Sequence, residues 1–301
     1  MVSRASLKTR GATGRARASA VARVVAVAVR LVALLLLMAS AVLGLQAAWS
    51  RWAVCFVDAD PPLPGMATLD GACVAVQDHL YDYTIPSDPW MPIADAAQRE
   101  GLSLLALGLP VVLLSLTVMN RWFIWVLGVA AGIAVGSVWL AMGVQTFLSG
   151  LAGEPVQVDD LAGVHALGVF APFITLGLAV VAIHGDVGRD LNLDRDVWLG
   201  VFWAAMTVAQ PLPELFTTLF LWSSHDTSPM TGFFRCAAVV VAAVAVAMTL
   251  VPARRRPARP GRRRSVDPGR RPRAGAGGIV LSAQWTDRPT PFPGVGRCAG
   301  R

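Results

Sequence analysis

Residues 197–222, VWLGVFWAAMTVAQPLPELFTTLFLW, decide how this chain is read. The run is apolar and longer than the roughly 20 residues a helix needs to cross a hydrocarbon layer. It also holds Gln210, Pro211, Pro213 and Glu214 near its middle. Read as a crossing, it places a carboxyl group inside the bilayer, beside two residues that cannot donate a backbone hydrogen bond. Five other runs of comparable character surround it, at 24–48, 102–119, 122–148, 163–183 and 233–251. The expected fold is therefore an all-α integral membrane protein with six transmembrane helices.

The composition agrees, with 55% hydrophobic and 15% charged residues in 301, against about a quarter charged in soluble domains. Charge is segregated along the chain. Residues 1–23 carry six basic side chains and no acid, and residues 252–301 carry thirteen arginines against Asp267 and Asp287. Basic residues collect on the cytoplasmic side. The two ends, the Asn120-Arg121 link and the loop with Arg189 and Arg195 thus belong there. The segment 49–101, with eight acids against Arg51 and Arg99, becomes a long external loop after the first helix. Seven of the ten tryptophans (Trp49, Trp52, Trp90, Trp122, Trp125, Trp198 and Trp222) fall near span ends, where their amphipathic rings are favoured. Three parts follow: a basic cytoplasmic segment 1–23, a six-helix domain 24–251, and a disordered Arg/Pro/Gly-rich cytoplasmic tail 252–301. The expected location is the plasma or inner membrane. The first span resembles a secretory signal, but its apolar run is long and Gln46-Ala47-Ala48 is a poor cleavage site, so it reads as an uncleaved anchor.

Cys55 and Cys73 lie in the external loop, where disulfides persist, and are expected to pair; closing that loop contributes about 3 kcal/mol in the chain-entropy model. Beyond them, Asp78, His79 and Asp82 have donor types that suit a metal ion, although a solvated polar patch fits the same spacing. His165, His225 and Asp226 are expected on the same side. In the third span Gly128, Gly132 and Gly136 lie four apart, a stripe that admits another helix backbone, either of this chain or of a homo- or hetero-oligomeric partner. Pro110 and Pro172 are expected to bend their helices mildly.

Glu214 has two readings. Arg235 enters the sixth span from the same face and can neutralise it as a structural ion pair. Alternatively Glu214, Gln210 and the carbonyls of Thr207 and Ala209, deprived of their usual donors by the two prolines, form an intramembrane site like those of carriers. Counted back from Trp222, the acid should lie about 12 Å inside the outer surface.

Catalytic signals are absent from the sequence. There is no phosphate-binding glycine loop with lysine, no H-E-x-x-H, no C-x-x-C and no G-x-S-x-G, and no cofactor is implied. The calcium-loop-like DLNLDRD, 190–196, has Arg195 where glycine is required and Val201 where glutamate is required. It reads as a turn, with Asp196 capping the fifth span. The tail suits anionic lipid headgroups, and without aromatic interleaving no nucleic acid is expected. The leading functional expectation is a non-enzymatic structural or recognition role through the stapled external loop. The alternatives are a secondary carrier or ion-coupled permease using Glu214 and, third, a membrane enzyme with an external His/carboxylate site.

Overall fold

The computed structural model describes residues 4–57, 71–84, 86–117, 122–158, 162–184, 193–221, 227 and 231–251. The tail 252–301, His225, Asp226 and the side chain of His165 lie outside these residues. Every regular element among the described residues is helical. In chain order these are α1 (Arg4–Phe56), the short α2 (Gly71–Ala75), a 3-10 turn (His79–Tyr81), α3 (Ala96–Ser115), α4 (Trp122–Ala152), α5 (Ala162–His184), α6 (Leu193–Val208), α7 (Pro211–Leu221) and α8 (Phe233–Leu250).

Helix α1 is far longer than the expected first span. Rich in Ala, Arg and Leu and free of proline before Pro61, it has nothing to stop it, and its 53 residues extend for about 80 Å. Helices α3 and α5 run through Pro110 and Pro172. Helix α6 begins at Leu193, so Asp196 lies within its first turn rather than ahead of it.

Among the described residues, five helices are long and apolar enough to cross a membrane: Ala20–Phe56 of α1, α3, Trp125–Ala152 of α4, Ala166–Ile183 of α5, and α8. The expected fifth span is not one helix. It divides into α6, whose apolar part Val197–Val208 is too short to cross alone, and α7. The proline pair causes the break. Pro211 takes the first position of α7, where a missing N–H costs nothing, and Gln210 caps it, its carbonyl accepting from Glu214 N at 3.0 Å. One expectation changes here: the Thr207 carbonyl is not left idle but accepts from Gln210 N at 3.3 Å.

The helices close a ring in the order α1, α3, α4, α5, α6, α8 and back to α1. Neighbours run antiparallel. Gly101 lies against Phe147 and Gly132 against Ser115 between α3 and α4, while Gly44 meets Cys236 and Ala48 meets Gly232 between α1 and α8. On α5 and α6, Thr207 Oγ1 donates to Thr175 Oγ1 at 2.9 Å. Pro211 and Leu212 share a crevice with Gly168 and Val169, so α7 continues along α5 toward that helix's start.

Buried side chains such as Leu37, Leu107, Trp139, Phe202, Trp203 and Val246 fill the interior. The outward faces are apolar as well: Leu35, Phe173 and Phe220 are all exposed. A helix in water would turn polar side chains outward, so these faces fit hydrocarbon. Of the α4 glycine stripe, Gly132 and Gly136 are covered by α3, through Ser115 and Val112 respectively.

Candidate functional site

The end of the ring formed by the C-terminus of α1 and the N-termini of α3 and α8 carries a dense set of buried charges. Its roof is the segment after Cys73. Cys55 at the end of α1 and Cys73 in α2 form the expected disulfide, with Cα atoms 4.8 Å apart. Arg51, one turn earlier on α1 and 5% exposed, holds the rest of the roof. Its Nε donates to the Val76 carbonyl at 2.9 Å, Nη2 to the Asp78 carbonyl at 3.1 Å and Nη1 to Asp82 Oδ1 at 2.6 Å. The guanidinium also sits 4.3 Å over the Trp52 ring, a favourable cation–π geometry.

Three further bonds tie the roof to other elements. Thr227 N donates to the Gln77 carbonyl at 2.7 Å and its hydroxyl to Asp82 at 3.1 Å. From α4, the Thr146 hydroxyl donates to the Tyr83 carbonyl at 2.7 Å. Tyr83 is itself buried, and burial pushes its phenol well above the ordinary value, so the ring hydroxyl stays neutral.

Beneath the roof lie Glu100 (α3), Glu214 (α7) and Arg235 (α8), 5%, 4% and 3% exposed. The Arg235 guanidinium donates through Nη2 to Glu100 Oε1. Glu214 approaches the same guanidinium less closely, Oε2 to Nη1 being 3.9 Å, beyond hydrogen-bonding distance. Its tighter bonds go to main chain: Gly232 N donates to Oε1 at 2.6 Å and Arg235 N at 3.2 Å.

This explains the acid between two prolines. Gly232, at φ 94°, begins α8 and has no side chain with which to cap it; only glycine adopts that conformation readily and leaves room beside Ala48. Glu214 supplies the missing cap from another helix, placing negative charge where the α8 dipole favours it. Measured along the receiving helices, the trio is shallow. Arg235 is about 3 Å of rise inside the start of α8 and Glu100 about 6 Å inside α3, less than the depth inferred from the chain distance to Trp222.

Of the expected site residues, the fold brings Glu214 and Arg235 together and leaves Gln210 in the turn before α7, fully buried. Both polar atoms of its amide are without a hydrogen-bond partner among the described residues. The metal candidates do not converge. The Asp78 carboxylate caps the 3-10 turn through Leu80 N at 3.0 Å and faces His79 Nδ1 at 3.0 Å, whereas Asp82 turns to Arg51. Among the described residues no three His, Cys, Asp or Glu side chains form a metal-binding group.

Glu100 and Arg51 were not anticipated. For Glu100 a signal existed: it occupies the helical stripe shared by Leu104, Leu107, Val111 and Leu114, all buried, so an acid stands on the face that packs. Arg51 falls on the same face of α1 as Ala47, Ala48 and Cys55, but only the extension of α1 past residue 48 reveals it.

Between roof and trio is a cavity of about 340 Å³. Arg51, Asp82, Glu100, Glu214 and Arg235 supply its charge, and Ala47, Trp52, Pro211 and Leu215 contribute apolar wall. Such a volume and mixed lining suit a small molecule. Comparison of the chain with protein-family models, with curated proteins and with solved structures finds no match, so its functional reading rests on this vestibule.

Proposed function

We propose that the chain is a non-enzymatic protein of the plasma or inner membrane, crossing it six times with both termini in the cytoplasm. Its disulfide-stapled external segment acts as a recognition and gating element over the vestibule. The broken pair α6 and α7 counts as one crossing, because α7 carries on along α5 where α6 stops. The arginine-rich ends favour the cytoplasm, and the tail contacts anionic headgroups. One observation carries the reading: Asp82, Tyr83 and Thr84 of the external segment line the same cavity as side chains from α1, α3, α7 and α8. The roof therefore borders whatever the cavity holds.

The test uses full-length protein with Cys236 and Cys298 replaced by serine. A cysteine at Thr84 should react with a membrane-impermeant maleimide applied to intact cells. A cysteine at Ala48, deeper in the wall, should react slowly, and several-fold faster once Cys55 and Cys73 are also serine. Labelling at position 84 only after lysis would defeat the topology, and an unchanged rate at position 48 would defeat the gating role.

The helix break supports a second reading, a secondary carrier centred on Gln210 and Glu214, because discontinuous helices with buried polar groups are how carriers build sites. Glu214→Gln separates the two. A glutamine carbonyl oxygen still accepts from Gly232 N and Arg235 N, so the fold should survive with a loss of about 1 kcal/mol. A carrier coupled through the carboxylate would lose all ion-driven uptake into proteoliposomes, whereas a recognition protein shows none to lose.

A further inference from the structure

The vestibule is not electrically balanced. Arg51 and Asp82 pair with one another at 2.6 Å. Below them, one guanidinium, Arg235, faces two carboxylates, Glu100 and Glu214. All three are at least nine-tenths buried, where an uncompensated charge is costly. Counted with every side chain ionised, one negative charge is in excess, and it borders a cavity. Glu214 has spent Oε1 on main-chain amides, which leaves Oε2 with only the distant guanidinium.

One more residue of the roof borders the same space. Tyr83 is a wall residue only 6% exposed, its ring packed against Trp90, Ala96 and Ala97. The volume exceeds that of a single metal ion, and the apolar wall from Ala47, Trp52, Pro211 and Leu215 suits carbon.

We infer that the vestibule binds a compact organic cation, an ammonium group with a short apolar body, whose charge completes the Glu100–Arg235–Glu214 cluster. The inference rests on the vestibule reading above and names its ligand class. Glu214 Oε2 and Glu100 supply the counter-charge, while the apolar wall takes the body of the molecule.

The probe is n-butylammonium chloride, titrated calorimetrically into full-length protein in phosphatidylcholine nanodiscs at constant ionic strength. Sodium butyrate, n-butanol, sodium chloride and empty nanodiscs serve as references. Saturable binding is expected for n-butylammonium alone. Glu100→Gln and Glu214→Gln each remove the excess charge while leaving Arg235 one carboxylate, and each should weaken binding at least about tenfold. The absence of saturable n-butylammonium binding to folded protein overturns the inference, as does wild-type affinity in either glutamine variant or comparable binding of butyrate or butanol. A proton that already balances the cluster would give the first of these results. External labelling at position 84 with no cation binding rejects the ligand class alone, whereas failed labelling rejects the vestibule reading itself.

Discussion

Arg235→Ala is expected to remove about 3–5 kcal/mol of folding stability, the largest effect of any single charge change in the ring. The substitution leaves Glu100 and Glu214 buried together without a cation. Neither reaches water easily, since both are about as enclosed as Arg235 itself. Two like charges in one low-dielectric site also repel each other. Glu100→Gln should cost less, because Glu214 remains to balance the guanidinium and keeps its bonds to Gly232 N and Arg235 N. Glu214→Gln should cost least. Combining Glu100→Gln with Arg235→Gln should recover part of the Arg235→Ala loss, as one carboxylate then remains and still caps α8. Melting of the four variants in nanodiscs gives the ranking. An Arg235→Ala protein that melts with the wild type would show that the guanidinium does not compensate these acids.

The ranking also shows where sequence reading stops. Hydropathy and arginine placement expose the apolar runs because each is a property of one short window. The Cys55–Cys73 staple was legible for the same reason: a separation of 18 residues in a segment placed outside leaves few other pairings. The Glu100–Arg235 bond joins residues 135 positions apart. It depends on the ring order and on the rotation of two helices, which no local window contains. Glu214 was visible as an anomaly, but its main role was not. The need for a borrowed cap arises from Gly232 and from the position of α7 against α8. The break at Gln210 could be read from its prolines as lost hydrogen bonds, yet the replacement bond from Gln210 N to the Thr207 carbonyl is a local tightening that proline content alone does not specify. Half of the α3–α4 seam was legible, since Gly132 and Gly136 repeat at helical spacing. Their counterparts Gly101 and Gly108 stand seven apart on α3, a spacing that reads as background until α4 is laid against it.

That seam sets the second large expectation: Gly101→Leu should cost about 3 kcal/mol or more and abolish cation binding at the vestibule. A Cβ at residue 101 would lie 2.5 Å from the Phe147 amide nitrogen and 2.7 Å from its Cα. Both are main-chain atoms inside a continuous helix, so no side-chain rotation relieves the clash; α3 and α4 must separate. Within a bilayer the separation is especially damaging, because close backbone approach, rather than release of water, is what holds such helices together. Glu100 precedes the altered residue and would move with α3, drawing its carboxylate from Arg235 and Asp82's roof segment from the α4 hydroxyl of Thr146. Gly177→Leu on α5 is the matched control. Nothing lies within 4 Å of a Cβ built there, and its effect should stay within about 0.5 kcal/mol. Thermal unfolding in nanodiscs and n-butylammonium titration of the pair decide the matter: if Gly101→Leu unfolds and binds like Gly177→Leu, the α3–α4 seam does not position the charged cluster.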